Sequence, residues 1–227
     1  MASWRHRIGL SYQLWRAQDG LADYYAELSQ VLKKDSLAGI PLVAIDLEMT
    51  GLNAQIDQII SVGIVPIEQQ RLQMAGAEHR LVAINGSVGQ SATIHGIVDR
   101  QLQQDVMSQQ EMLHWLLQQT YGKLMVFHHG MLDITFLSKL TEQVFNRPLH
   151  LPIIDTLQIE QRRVMRDRHV IEHGSLRLAA CRKRYKLPIY VAHNALIDAA
   201  ACGELFLAQT AFNAWSKQPL DDYLFWF

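Results

Sequence analysis

The sequence predicts an α/β fold, a mixed central sheet flanked by helices, and three observations predict it. The runs Leu42-Val43-Ala44-Ile45 and Leu124-Met125-Val126-Phe127 are of strand length and apolar throughout, as buried strands are. Other stretches, such as Leu132, Phe136, Leu137 and Leu140, place apolar residues at helical spacing. The two kinds follow one another along the chain in an order that fits helices layered on a sheet.

A helical extension over 1–39 comes first. Leu21, Tyr24, Tyr25, Leu28, Val31 and Leu32 form an apolar stripe that ends at Lys33-Lys34-Asp35, before Gly39 and Pro41. The stripe packs on this protein's own core, or docks a partner or a second copy of the chain. Strands are expected at about 41–48, 57–66 and 78–84. A loop containing Thr93-Ile94-His95-Gly96-Ile97 follows, then helix, strand, helix, strand and helices to the end. The Gln-rich part from Gln101 to Gln119 keeps Met112, Leu113, Leu116 and Leu117 apolar, which makes it a solvated helix with one buried face. The tail, 213–227, is aromatic, and self-packing or a dimer contact is its expected use.

With 227 residues and 49% hydrophobic content, the chain can bury one good core. Its two cysteines, Cys181 and Cys202, give no disulfide framework, so a reducing, cytoplasmic location is expected. No apolar stretch approaches the roughly 20 residues that span a bilayer, and no membrane association is expected. Arg5 and Arg7 near the start are not followed by an apolar block, unlike a signal peptide. The net charge of -1 hides an asymmetry. Between Gln161 and Lys186 lie nine Lys or Arg against Asp167 and Glu172, a candidate phosphate-contacting surface or else a solvated helix face.

Three stretches carry the chemistry. In the first, Asp46 and Glu48 are two apart at the end of a strand and so share a face. Adjacent carboxylates repel unless a cation lies between them, and Mg²⁺ or Mn²⁺ suits such oxygen ligands. A solvated edge strand is the alternative. Gly51 then lets the backbone turn sharply near Thr50 and Leu52. In the second, His128-His129-Gly130 is a turn, and Asp133 falls in the first turn of the next helix, where the helix dipole alone would also favour a carboxylate. In the third, His193 and Asp198 are separated by five positions, about 140° on a continuous helix, and converge only if His193 precedes the helix and Asn194 caps it. The small residues Ala199, Ala200, Ala201 and Gly203 let that helix press on the sheet.

In this order the stretches Asp46-Leu47-Glu48-Met49-Thr50-Gly51-Leu52, His128 to Asp133, and His193-Asn194-Ala195-Leu196-Ile197-Asp198 resemble the DEDDh class of 3'-5' exonucleases over about residues 40 to 210. The run Asp46 to Leu52 is similar to that of oligoribonuclease, a relative as ribonuclease T is, while with Ser175 to Ala179 the overall pattern is nearer to the proofreading epsilon branch of bacterial DNA polymerase III. The resemblance implies a ribonuclease H-like fold with a mixed five-stranded sheet, and an exonuclease domain over 40–212. It implies that Asp46, Glu48 and Asp198 hold one divalent metal ion, Mg²⁺ or Mn²⁺, that Asp46 bridges to a second completed by Asp133, and that His193 is the general base. It places Met49, Thr50, Leu52, Ile94, His95, Ile97 and His129 against the substrate, although Ile94 and Ile97 are equally credible as core. Leu151 to Leu157 matches the family's fifth strand, with Asp155 a helix-start residue rather than a ligand.

The resemblance also implies cleavage from a free 3' end of single-stranded nucleic acid, DNA before RNA, with release of nucleoside 5'-monophosphates. A homodimer or a replication protein is the expected partner. The alternatives are an oligoribonuclease-like RNA exonuclease, or a binding or scaffold protein that keeps the fold without turnover. A degenerate member would lose a carboxylate or the histidine, and all five positions are filled.

Overall fold

The computed structural model describes residues 4–16, 21–34, 36–85, 106–168, 170–191, 193–212 and 219–227. Ile94, His95 and Ile97 lie outside the described residues. In chain order the elements are α1 (Trp4–Arg16), α2 (Ala22–Val31), β1 (Leu42–Met49), β2 (Ile59–Glu68), β3 (Arg71–Leu72), β4 (Glu78–Leu81), α3 (Gln109–Thr120), β5 (Leu124–Phe127), α4 (Gly130–Phe145), β6 (Pro152–Asp155), α5 (Thr156–Arg168), α6 (Leu178–Arg184), α7 (Ala195–Phe212) and β7 (Leu224–Trp226).

One mixed sheet runs β3-β2-β1-β5-β6-β7, with β4 also paired to β2. Strands β1, β5 and β6 are parallel, while β2 and β7 are antiparallel to their neighbours β1 and β6. Every residue of β5 and β6 is buried, as for strands covered by helices on both faces. Among the described residues seven strands stand where the resemblance implied five. The additions are the two-residue β3 and the tail strand β7, whose backbone pairs with the otherwise open edge of β6.

Described residues on either side of the 40–212 region are thus anchored on this core. Tyr24, Tyr25, Leu28 and Val31 of α2 belong to the same buried cluster as β1 and β5, and so do Leu220, Tyr223 and Leu224 of the tail. The rings of Tyr223 and Phe206 meet edge to face, 6.3 Å between centroids. No helix among the described residues is long and apolar enough to cross a membrane.

Helix starts follow local chemistry. Helix α3 opens on a capping box, in which Ser108 Oγ accepts from Glu111 N–H and Glu111 Oε2 accepts from Ser108 N–H. Met112, Leu113 and Leu116 then face the core, as the periodicity predicts. Helix α4 begins immediately past the end of β5. Because β5 lies parallel to β1, the start of α4 stands at the same sheet edge as the end of β1. Loops beyond the carboxyl ends of parallel strands are where α/β sheets place their clefts.

Candidate active site

Asp46 and Glu48 occupy the last turns of the pleat in β1. Their partners across β2 are Gly63 and Ser61, and the next strand, β4, sets His79 opposite Gly63. A Cβ on Gly63 would fall 2.2 Å from the main-chain carbonyl of Ala195, the first residue of α7. The missing side chain therefore lets the amino end of α7 settle on β2 directly beside Asp46, which brings Asp198 in.

Asn194 caps this helix: its Oδ1 accepts from Leu196 N–H at 3.1 Å and Ile197 N–H at 3.2 Å. His193 lies before the cap with φ +71°, and its own N–H donates to Asp198 Oδ2 at 2.8 Å. Turning the chain there aims the Asp198 carboxylate back toward β1 and leaves His193 exposed.

One carboxylate oxygen from each of Asp46, Glu48 and Asp198 lies within 4.8 Å of the others. Asp133, 6% exposed in the first turn of α4, stands outside that trio but near enough to act on it. Burial, then the charges of Asp133, Glu48 and Asp198, push the Asp46 carboxyl well above the usual range. Burial likewise raises Asp133 to about 8, against the pull of the main-chain N–H groups of Asp133 and Leu47. Asp198 is raised by burial and by Glu48, with the His193 N–H opposing. Clustered carboxyls that burial and mutual repulsion drive toward protonation are the donor set that a hard divalent cation relieves. The residues present therefore fit such a cation.

The turn after β1 is closed by Asp57, whose Oδ1 accepts from Thr50 Oγ1 at 3.0 Å and whose Oδ2 accepts from Asn53 N–H at 2.9 Å. Thr50 is thus held by the protein itself. Gly51 is required here for a different reason from the one the sequence suggests. Its φ is not in the left-handed region, but a Cβ would lie 2.5 Å from the Asp57 carboxylate. Leu52, 80% exposed, projects from this turn, whereas the Met49 side chain is buried in the core.

His129 sits exposed at the start of α4 with φ +70°. Asp155 proves to be a brace, as expected: its oxygens accept from the N–H groups of His129, Gly130 and Leu157. His128 turns the other way, bonding Thr156 Oγ1 at 2.8 Å and Leu176 O at 2.9 Å, and burial lowers its pKa to about 4.

Sequence reasoning missed Ser61, Gly63 and His79. Ser61 Oγ and His79 Nε2 are buried with no hydrogen-bond partner among the described residues, and His79 feels the charge of Glu48. Nothing in their local sequence marks them, because only the β4-β2-β1 register sets them beside the carboxylates.

The basic stretch is less open than its composition suggests. Arg162 lies 4.1 Å over the Phe225 ring and donates to Asp222 O. Arg163 and Arg184 both pair with the fully buried Glu160, and Arg182 is 3% exposed. Arg166, Arg177, Lys183 and Lys186 remain exposed.

A family model described as exonuclease matches residues 43–206. A DNA polymerase III PolC-type protein of Thermotoga petrophila is 27% identical over 173 residues, covering 76% of this chain and 12% of the relative. The chain thus spans about an eighth of that relative's length. Among solved structures, E. coli exonuclease I in complex with a dT13 oligonucleotide superposes with a TM-score of 0.64 at 12% identity, covering 77% of this chain and 43% of that one. The nuclease domain of 3'hExo, a DEDDh family member bound to rAMP, gives 0.60 at 12% identity, covering 82% and 98%. Both share the ribonuclease H-like fold of this chain.

Proposed function

The chain belongs to the exonuclease family, and from that premise we propose that it is a metal-dependent 3'-5' exonuclease that removes nucleoside 5'-monophosphates from the 3' end of single-stranded DNA. The observation that carries the reading is the approach of Asp46, Glu48 and Asp198 carboxylate oxygens to within 4.8 Å of one another at the carboxyl end of β1 in the mixed sheet. Residues 40–212 carry the activity in this reading, with the described residues of 1–39 and 213–227 bracing the sheet.

Asp46, Glu48 and Asp198 would hold one Mg²⁺ or Mn²⁺, and Asp46 with Asp133 a second. Two such ions supply charge for both the entering and the leaving oxygen of an in-line displacement at phosphorus. His193, exposed before α7, takes the proton of the attacking water as general base. Water oxygen bonds to phosphorus, and the bond from phosphorus to the 3' oxygen of the preceding nucleotide breaks. The terminal nucleotide leaves as its 5'-monophosphate. Leu52, the main chain of Thr50 and the exposed His129 contact the terminal nucleotide in this reading. The family resemblance assigns Ile94, His95 and Ile97, which lie outside the described residues, to the substrate as well.

DNA is favoured over RNA because the related PolC-type protein is a DNA polymerase, which also makes a replication protein the partner of choice over a homodimer. A cytoplasmic setting accords with Cys181 and Cys202 both being free and buried.

End-labelled single-stranded DNA and RNA of matched sequence, incubated with Mg²⁺, Mn²⁺ or EDTA, test the proposal. Shortening from the 3' end of DNA, abolished by EDTA and by Asp46→Asn, is expected. Cleavage that survives EDTA, or a wild-type protein inert on both polymers, would sink it. Faster shortening of RNA would reassign the polymer.

A further inference from the structure

A buried arginine outside the carboxylate site ties together the parts that must hold His193. Arg182, in α6, is 3% exposed. Its Nη1 donates to Ala201 O at 2.6 Å, and its Nη2 donates to Glu204 Oε2 at 2.7 Å, both on α7. The same Nη2 donates to Pro188 O at 2.9 Å. The guanidinium also lies 4.5 Å from the centre of the Tyr190 ring, whose hydroxyl donates to Glu204 Oε1 at 2.8 Å. One planar cation thus joins α6, the start of the segment 187–194, and the helix that bears Asp198. Arginine alone among side chains offers this many donors in a fixed plane together with a face that stacks on an aromatic ring.

Among the described residues of this segment, Leu187 N–H donates to Arg182 O at 3.2 Å, and two apolar side chains lie open. Ile189 is 94% exposed and Val191 83% exposed, so neither packs. Its far end is tied by the His193 N–H bond to Asp198, and its near end by Pro188 and Tyr190 through Arg182 and Glu204.

We propose that Arg182, with Glu204 and Tyr190, is a positioning residue for His193, locking the segment that leads to it onto the helix that carries Asp198. The proposal rests on the reading of His193 as general base. A base displaced by about 1 Å loses on the order of 10²-fold in rate, whereas ground-state binding through the cleft wall is untouched.

The test compares wild type, Arg182→Met, Tyr190→Phe and His193→Ala, and the doubles of the first two with His193→Ala. Arg182→Met should lower kcat by about 10- to 100-fold, with KM within about twofold. In the His193→Ala protein the same change should cost no further rate, because its effect passes through the missing imidazole. Hydrogen exchange over 187–194 should quicken about tenfold or more, while β1 and β5 stay protected. Tyr190→Phe keeps the ring over the guanidinium and loses one hydrogen bond, so it gives the same pattern at smaller size and serves if Arg182→Met fails to fold. Losses that multiply in the doubles, or unchanged exchange over 187–194, would overturn the assignment. If wild type shows no cleavage, the functional reading fails on its own, and hydrogen exchange alone decides whether Arg182 holds the segment.

Discussion

The main-chain N–H of His193 donates to Oδ2 of Asp198 at 2.8 Å, so the proposed base and a proposed metal ligand are coupled through backbone as well as through the charge of the imidazole. The bond requires the left-handed φ of +71° at His193, a conformation costing a non-glycine residue about 1 kcal/mol or more. His193→Ala keeps the N–H. It should therefore bind Mn²⁺ as wild type does, while losing about 10² to 10⁴ in single-turnover rate. Asp198→Ala should lose both. Calorimetric titration with Mn²⁺ checks the pair, and equal weakening in the two variants would contradict the separation of roles.

Gly63 sets the floor on which α7 rests. With a Cβ 2.2 Å from Ala195, Gly63→Ala must push the amino end of α7 off β2. Overpacking of this kind costs about 1 to 3 kcal/mol, and Asp198 would leave the trio with it. We expect lower stability in urea and weaker Mn²⁺ binding together. Wild-type behaviour on both counts would mean that the close approach is dispensable.

His128 gives a pH dependence whose sign is fixed by burial. Its folded pKa is lowered to about 4, below the ordinary 6.5, so between these values the unfolded chain holds the extra proton. The contribution is complete above pH 6.5 and is lost as pH falls toward 4, on the order of 3 kcal/mol in all. The difference in stability between wild type and His128→Gln, measured in urea at pH 7 and pH 4.5, should narrow at the lower pH. A difference that stays constant would rule this out.

Arg162 belongs to the fold more than to a nucleic-acid surface. Stacked on Phe225 and bonded to Asp222 O, it fastens the tail to α5. Arg162→Ala should cost about 1 to 2 kcal/mol of stability. The salt dependence of oligonucleotide binding should stay as in wild type, since a contact to phosphate would have changed that slope. A shallower slope with unchanged stability would restore the phosphate-contact role.

Much of the candidate site was legible because it depends on local periodicity. Two residues apart on a strand share a face, which is enough to pair Asp46 with Glu48. The amide type of Asn194 and the distance from His193 to Asp198 require a helix that starts between them, and α7 starts at Ala195. The place of Asp133 in the first turn of α4 follows from the apolar spacing after Gly130. The strand of the tail was not legible, since three residues show no period and β7 exists only because the edge of β6 was open to it.

By itself, then, the sequence determined the α/β class, the order of the elements and which carboxylates stand at element ends, because each depends on neighbours along the chain. Tertiary structure alone decided that Gly63 admits α7, that Ser61 and His79 stand beside Glu48, that Arg162 stacks on the tail, and that Arg182 is buried against α7. Those facts depend on strand register and on what each cation meets, which are set by residues distant in sequence.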